Sequence, residues 1–321
     1  MVRAVDVGEY LDQWMVRQRL RLRPRTWDAY RLTIDTYIAP ALGRVPLDAL
    51  GPAAIEQLYG ELLDHGGRGD RPLSLATIRH VHGVLHKALA DAVRVELLPT
   101  NPADRVALPR HDLRDRAPAT VQAWTAEEAR RFLRHTRDDV HGNLWAVALC
   151  TGMRRGELLG LRWRDVDLDD RLVTVTGALT EHRGRVQRMP TKTNRVRRLH
   201  IDDRTAAALV RERSARSPTT SATGDLADLV FAEADGAPLS PQRTSHRFRR
   251  LVRRLDDVPA IRLHDVRHTH ATLLLHAGVP IKVVSERLGH ATIAMTLDVY
   301  AHVLPAMDRE AADRFGALIG P

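Results

Sequence analysis

Arg154 stands at a position where it could bind a phosphate group. It follows Thr151 and Gly152, where one apolar helix is predicted to end and the next to begin. A guanidinium can present a planar fork to a phosphate, and a helix N-terminus adds partial positive charge. Glu157 lies three residues further on and can hold the arginine side chain in place. Taken alone, the pattern is more typical of a solvated surface charge.

A second candidate pair is His264 and Arg267, which are three residues apart and share one face of a predicted helix. The histidine offers proton transfer or hydrogen bonding, and the arginine offers fixed positive charge. His268 and His270 follow closely and raise the alternative of a metal site. No carboxylate–histidine set with the usual ligand spacing is evident, so a phosphate site is favoured over a metal site.

The third candidate motif ends on a tyrosine. His290 follows the predicted helix-ending Gly289, and Tyr300 follows ten positions later. A phenolic oxygen can act as a nucleophile. A tyrosine in an apolar context is more often part of a hydrophobic core, so this motif is also ambiguous by itself.

The three motifs occur together and in order, and this combination resembles the tyrosine recombinases, the phage integrase family. The matching boxes are Thr-Gly-x-Arg-x-x-Glu-Leu, His-x-x-Arg and Leu-Gly-His, followed by the tyrosine. The resemblance covers nearly the whole chain. Residues 263–303 are especially similar to integrases of phages and conjugative elements, and residues 21–30 and 73–78 resemble the family's core-site DNA-binding domain. A family lysine in a β-hairpin matches Lys192. The candidate catalytic residues are Arg154, Lys192, His264, Arg267, His290 and Tyr300.

The resemblance implies transesterification at a DNA phosphate. Tyr300 would attack and form a 3′-phosphotyrosine, leaving a free 5′-hydroxyl. Arg154 and Arg267 would stabilise the charge that develops on the phosphate oxygens, where many nucleases use metal ions. Because the bond energy is retained in the covalent intermediate, no cofactor, ATP or metal is expected.

Three further roles follow. The pKa of a free tyrosine is about 10, so Tyr300 needs a base or strongly positive surroundings at neutral pH. His264 is the expected base. By resemblance, Lys192 is the expected acid for the 5′-oxygen, and His290 is expected to donate a hydrogen bond to the phosphate.

The expected partner is double-stranded DNA. The resemblance implies a homo-tetramer on two recombination sites that passes through a Holliday junction, with room for an accessory directionality factor. A Xer-type dimer-resolution recombinase is the nearest alternative enzyme. A type IB topoisomerase is disfavoured because the N-terminal region and the tail resemble integrases. A non-catalytic DNA-binding regulator would leave Tyr300, Lys192 and the paired arginines unexplained.

The sequence predicts that these residues are positioned by a protein of two domains, which is mainly α with a small antiparallel β-sheet. Residues 1–108 carry four apolar stripes at helical spacing, typical of a helical bundle that would bind the core DNA site. Residues 109–124 are charged and proline-containing and predict a linker. Residues 125–321 form the predicted mixed α/β catalytic domain, which opens on a capping box at Thr125. Residues 172–176, 186–189 and 198–201 are expected to pair as strands.

Composition agrees with these expectations without deciding between them. Lys and Arg number 49 against 40 Asp and Glu, a net charge of +9, which favours a polyanionic partner. An arginine-rich genome would give the same excess. The basic run 243–254 is expected to divide between DNA and solvent. The single cysteine, Cys150, lies in an apolar run and is expected to be a buried small hydrophobe.

No apolar run is long enough to cross a membrane, and no apolar signal core follows the N-terminus. A cytoplasmic protein with no membrane partner is therefore expected. The first amphipathic helix is expected to begin near Val7, with no room before it in this sequence for an arm-site-binding domain. Either the natural protein is a simple recombinase that works on short sites, or this chain is a fragment or has a misplaced start. We therefore expect binding to a short core site.

Overall fold

A computed structural model describes residues 5–108, 122–190, 196–215, 224–290, 292–300, 312–313 and 315–319. The chain divides into two compact units, Met1–Pro118 and Ala119–Pro321. Most of the predicted linker, 109–124, lies outside the described residues, and the predicted domain boundaries stay a prediction. Within the described ranges, no helix is long and apolar enough to span a membrane.

The first unit is helical. Its helices are α1 (Val7–Gln18), α2 (Pro24–Thr33), α3 (Ala39–Leu42), α4 (Pro52–His65) and α5 (Leu75–Arg94). A π-helical turn, Ile34–Ile38, joins α2 to α3. Prolines occupy the first turns of α2 and α4, where the missing N–H costs nothing. Ser74 caps α5 by accepting a hydrogen bond from the Thr77 backbone N–H.

The apolar stripe of α1 packs into the core of this unit, as its spacing predicts. Tyr10 and Trp14 are fully buried. The Tyr10 hydroxyl donates to the Ala88 carbonyl at 2.6 Å, and the Trp14 indole donates to Asp91 at 2.8 Å. These long-range bonds tie α1 to α5. The second predicted stripe is less deeply placed, since Ile34 is buried while Trp27, Tyr30 and Tyr37 are partly buried.

Between residues 122 and 300, the described part of the second unit contains eight α-helices. They are α6 (Ala126–His135), α7 (Gly142–Thr151), α8 (Arg155–Leu159), α9 (Asp203–Ala215), α10 (Pro241–Val252), α11 (Leu263–His276), α12 (Ile281–Leu288) and α13 (Ile293–Tyr300). The capping box at Thr125 is confirmed: its hydroxyl accepts from Glu128 N–H, and its own N–H donates to the Glu128 carboxylate. Trp124, at the end of the predicted linker, is buried and bonded to Thr269 and Pro259.

The strands of this unit form two separate antiparallel sheets. They are β1 (Val166–Asp167), β2 (Leu172–Val175), β3 (Gly177–His182), β4 (Arg185–Pro190) and β5 (Arg197–His200), in the order β1-β2-β5 for one sheet and β3-β4 for the other. The mainly α fold with a small antiparallel β component is confirmed. The expected pairing of 198–201 with 172–176 is also observed, with Arg198 opposite Thr174.

The expected pairing of 186–189 with 172–176 is wrong. Met189 lies opposite Ala178, in the hairpin of β3 and β4. The reason is the two-residue turn Arg183–Gly184, in which both residues have positive φ, at 48° and 76°. Such a turn matches the twist of a hairpin and pairs β4 with the strand directly before it.

Aromatic side chains fill the core of the second unit. Phe248 of α10 lies 5.7 Å from Phe132 of α6 and 5.3 Å from Trp145 of α7, measured between ring centroids. This packing fixes α10 beside α7, whose C-terminal end leads to Arg154. Cys150 is only partly buried, and burial raises the pKa of its thiol.

Candidate active site

Arg154 lies at the junction between α7 and α8. Gly152 ends α7 in the left-handed conformation, with φ of 62°, and Arg154 is the extended N-cap residue of α8. The buried carboxylate of Glu157 accepts the Arg154 backbone N–H at 3.0 Å and its Nη1 at 3.0 Å. Nη2 donates to the Gly289 carbonyl at 2.9 Å. The side chain of Arg154 is nevertheless 40% exposed, so the anchored guanidinium still meets solvent.

Arg267 and His264 lie on α11, three residues apart, but they differ in exposure. Arg267 is only 4% exposed, and it donates from Nη1 to the Gly152 carbonyl at 2.9 Å and from Nη2 to the Leu288 carbonyl at 2.7 Å. His264 is on the exposed part of the same face. Its ring meets that of His268 edge to face, with centroids 5.1 Å apart.

His290 follows the C-terminal end of α12, where Gly289 adopts φ of 67°. Its backbone N–H donates to the Ser285 carbonyl, and its Nδ1 lies 2.7 Å from the Thr296 hydroxyl. Burial, followed by the charges of Arg267 and Arg154, lowers the pKa of His290 to about 4. The imidazole is therefore neutral at pH 7.

The histidines on α11 are held neutral in the same way. Partial desolvation by the surrounding protein and then the charge of Arg267 lower the pKa of His264. Burial and then His264 lower the pKa of His268 to about 4. The structure thus brings Arg154, Arg267, His264 and His290 together, with both histidines predominantly neutral at pH 7.

The remaining two candidates are less completely described. Helix α13 packs against α12 and ends at Tyr300, of which the backbone alone is described. Lys192 lies outside the described residues, between the end of β4 at Pro190 and the start of β5 at Arg197. Both remain candidate catalytic residues from sequence.

Sequence reasoning missed Arg197, on β5. Its Nη1 donates to Glu157 Oε1 at 3.1 Å and its Nη2 to Oε2 at 2.6 Å, so one carboxylate is shared by two arginines. Burial raises the pKa of Glu157, but Arg197 and then Arg154 outweigh it and hold the pKa below its usual value. Arg197 has a similar neighbour in Arg198, and nothing in the sequence singles it out.

Sequence reasoning also missed a second buried pair, His270 and Arg287. His270 Nδ1 lies 2.9 Å from the Leu149 carbonyl, and its Nε2 accepts from Arg287 Nε at 3.1 Å. Arg287 also donates to the carbonyls of His200 and Cys150. Both ring nitrogens of His270 are therefore engaged with protein groups. Across the described part of the chain, no three ligating side chains are grouped to hold a metal ion.

Comparison with known proteins agrees with this arrangement. Residues 123–307 match the Phage integrase family, and residues 7–63 match the N-terminal SAM-like domain of phage integrases. The ICEBs1 integrase of Bacillus subtilis strain 168 is 26% identical over 99% of this chain and 84% of its own length. The integrase of Mycobacterium phage D29 is 29% identical over 99% of this chain and 80% of its own length.

Solved structures show the same fold. The Tn1549 transposon integrase in complex with a circular intermediate DNA superposes with a TM-score of 0.80 at 23% identity, covering 97% of this chain and 100% of that one. A lambda integrase (75–356) dimer bound to a core site gives a TM-score of 0.65 at 18% identity, over 90% of this chain and 97% of that one. The family match extends over more than half of the chain and includes the arginine and histidine cluster, so the chain belongs to the phage integrase family and is a tyrosine site-specific recombinase.

Proposed function

We propose that this recombinase integrates and excises a mobile element, cutting and rejoining double-stranded DNA through a 3′-phosphotyrosine at Tyr300. The observation that carries the proposal is the cluster at the meeting point of α8, α11 and α12. There two guanidinium groups and two neutral imidazoles lie together, and such groups can stabilise charge and transfer protons at a phosphate without a metal.

The arginines supply charge stabilisation. Three guanidinium groups, those of Arg154, Arg197 and Arg267, surround the single carboxylate of Glu157 or the carbonyls beside it. Glu157 balances one of the three charges, and backbone carbonyls balance none. The excess positive charge is available to the phosphate oxygens, which carry additional negative charge in the transition state.

In this proposal, Tyr300 and Lys192 take part in the bond exchange by resemblance to the family. The Tyr300 oxygen attacks phosphorus, the Tyr–O–P bond forms, and the bond from phosphorus to the 5′-oxygen breaks. Neutral His264 accepts the phenolic proton, and Lys192 donates a proton to the departing 5′-oxygen. The reverse steps join a new 5′-hydroxyl to the same phosphate.

His290 orients the phosphate. When the Thr296 hydroxyl donates to Nδ1, the neutral ring carries its proton on Nε2. That N–H then donates to a non-bridging phosphate oxygen. A neutral donor can serve here because Arg154 and Arg267 already supply charge.

Helix α10 extends the DNA-binding surface. Arg155, next to Arg154, donates to the Ser245 hydroxyl at 2.6 Å, which places this side of α10 beside the cluster. Arg249 and Arg253 follow Ser245 at intervals of four residues and are exposed on the same side. Arg250 projects from another side and lines a cavity of about 730 Å³ with Glu233 and others. We assign phosphate contacts to the Ser245 side of the helix.

The active assembly in this proposal is a homo-tetramer on two DNA sites. A structure with the same fold is a lambda integrase tetramer bound to a Holliday junction, with a TM-score of 0.64 at 19% identity. An accessory factor that sets the direction of recombination is compatible with this assembly and forms no part of the chemistry proposed for the cluster.

The proposal is tested with a suicide duplex that spans the joined ends of the element carrying the gene, nicked next to the cleavage position. The wild-type chain should form a protein–DNA adduct that survives denaturation. Tyr300→Phe keeps the ring and loses the oxygen, so it should bind the duplex and form no adduct. No adduct from the wild type would favour a DNA-binding regulator, and relaxation of any supercoiled plasmid would favour a topoisomerase.

A further inference from the structure

We infer that Arg197 is a positioning residue for DNA cleavage: through Glu157 it fixes the direction in which Arg154 presents its guanidinium to the scissile phosphate. The inference deepens the proposed function and rests on it. The side chain of Arg197 is 13% exposed, against 40% for Arg154. Arg197 is therefore more deeply buried than Arg154, which is the residue proposed to contact DNA.

The geometry of Glu157 shows how this works. Each carboxylate oxygen accepts one hydrogen bond from Arg197 and one from Arg154. Oε1 takes Nη1 of both arginines, and Oε2 takes Arg197 Nη2 and the Arg154 backbone N–H. Four donors of fixed direction define the carboxylate plane, because a bidentate arginine fork permits one orientation. The Arg154 side chain takes its direction from that plane.

Arg197 also contacts the C-terminal end of α12, where the Gly289 carbonyl is the second hydrogen-bond partner of the Arg154 side chain. Its Nε donates to the Arg287 carbonyl in α12 at 3.2 Å. Its side chain lies against Gly289, where an added Cβ would come within 2.9 Å of Nη1. The Gly289 carbonyl accepts Arg154 Nη2. One side chain therefore contacts both groups that hold Arg154, the carboxylate of α8 and the C-terminal end of α12.

Charge gives Arg197 a second effect on Arg154. Glu157 is 5% exposed, so its charge is weakly screened by solvent. With Arg197 present, the carboxylate is shared between two cations. Without Arg197, Arg154 becomes the only one of these two arginines that pairs with Glu157. The carboxylate then draws the Arg154 guanidinium inward and offsets its positive charge. The phosphate then meets an arginine that is both misdirected and less electropositive.

The chain supplies a matched control in Arg162. Arg162 forms a comparable buried pair with Asp165, donating from Nε at 2.8 Å and from Nη2 at 3.3 Å, with side chains 12% and 9% exposed. Arg162 also donates to the Thr176 hydroxyl. A variant at Arg162 removes a buried arginine pair of the same kind from the same unit without touching Glu157.

The experiment compares Arg197→Met with Arg162→Met on the nicked suicide duplex, at saturating DNA and well below both melting temperatures. Arg197→Met should slow adduct formation by about 10–100-fold, somewhat less than removal of a whole transition-state donor. DNA affinity should change by less than about threefold, since the lost contact is not to DNA. Arg162→Met should cleave within about threefold of wild type. Arg197→Lys keeps charge without the fork and should fall between Arg197→Met and wild type.

A double-mutant comparison separates positioning from general damage. In an Arg154→Ala background, Arg197→Met should add less than about threefold, because the residue through which it acts is gone. Equal cleavage by Arg197→Met and Arg162→Met, or an undiminished effect in the Arg154→Ala background, would overturn the inference while leaving the proposed function intact. A wild-type chain that forms no adduct would overturn both.

Discussion

Replacing Arg267 with alanine should damage both catalysis and folding, whereas replacing Arg154 should damage catalysis alone. Both side chains are proposed to stabilise the same phosphate, so each loss should slow cleavage by about 10²–10³-fold. Their surroundings differ. Arg267 is 4% exposed and satisfies two backbone carbonyls, those of Gly152 and Leu288.

The stability difference follows from those contacts. A hydrogen bond to a charged group contributes about 1.5–3 kcal/mol, so the two bonds of Arg267 together contribute about 3–6 kcal/mol. For a unit of this size, about 3 kcal/mol corresponds to a fall in Tm of about 6–12 °C. Arg154→Ala loses one carbonyl bond, to Gly289, but this side chain is 40% exposed, so water can replace the lost donor. Glu157 keeps its bidentate bonds to Arg197, and the expected cost is about 1 kcal/mol or less.

Scanning calorimetry and single-turnover cleavage on the suicide duplex measure the two effects separately. Arg267→Ala should melt at least about 6 °C below wild type, and Arg154→Ala within about 3 °C. Equal melting temperatures for the two variants would refute the structural role given to the carbonyl contacts. Cleavage by either variant within about tenfold of wild type would refute its place in the chemistry.

Four other outcomes are expected. Gly152→Ala should lower the free energy of unfolding by more than Gly184→Ala, which costs about 1–2 kcal/mol. Both glycines have positive φ, but only at Gly152 would the new Cβ meet another side chain, that of His270, at 2.6 Å. Denaturant unfolding of the two variants measures the difference. Burial lowers the pKa of His270 from 6.5 to about 4, so between these pH values the unfolded chain binds one proton more than the folded chain. The free energy of unfolding should therefore fall as the pH drops from 6.5 towards 4. The fall should be less steep in His270→Gln. Cleavage should be insensitive to EDTA, and strong inhibition reversed by magnesium or zinc would revive a metal site. Arg249→Gln should weaken DNA binding and reduce the salt slope by about one, with a smaller change in Arg250→Gln, as titrations at several salt concentrations would test.

The helices and their ends could be predicted because the signals are local. The stripe containing Tyr10 and Trp14, the cap at Thr125 and the stop at Gly289 depend on residues within one or two turns of each other. The strand pairing of 186–189 could not be read in the same way. It was decided by the φ angles of Arg183 and Gly184, while the alternation of apolar residues fits either partner.

In the candidate site, too, local sequence signals could be interpreted and long-range contacts could not. Motif spacing predicted that Arg154 and His264 belong to one site, and the structure brings both beside Arg267. The supporting contacts were not legible, because most of them end on backbone carbonyls such as Gly289, which every residue possesses. Arg287 was missed for this reason, and Arg197 was missed because its partner Glu157 lies 40 residues away in the sequence.

The C-terminal end of α12 has a consequence for how the site forms. Its last two carbonyls, Leu288 and Gly289, hold Arg267 and Arg154 respectively, and His290 is the next residue. The three groups proposed to contact one phosphate are therefore all attached or hydrogen-bonded to a single stretch of backbone. A displacement of that stretch would therefore disturb all three groups together, and the rigidity of this one helix end limits how precisely the whole pocket is aligned.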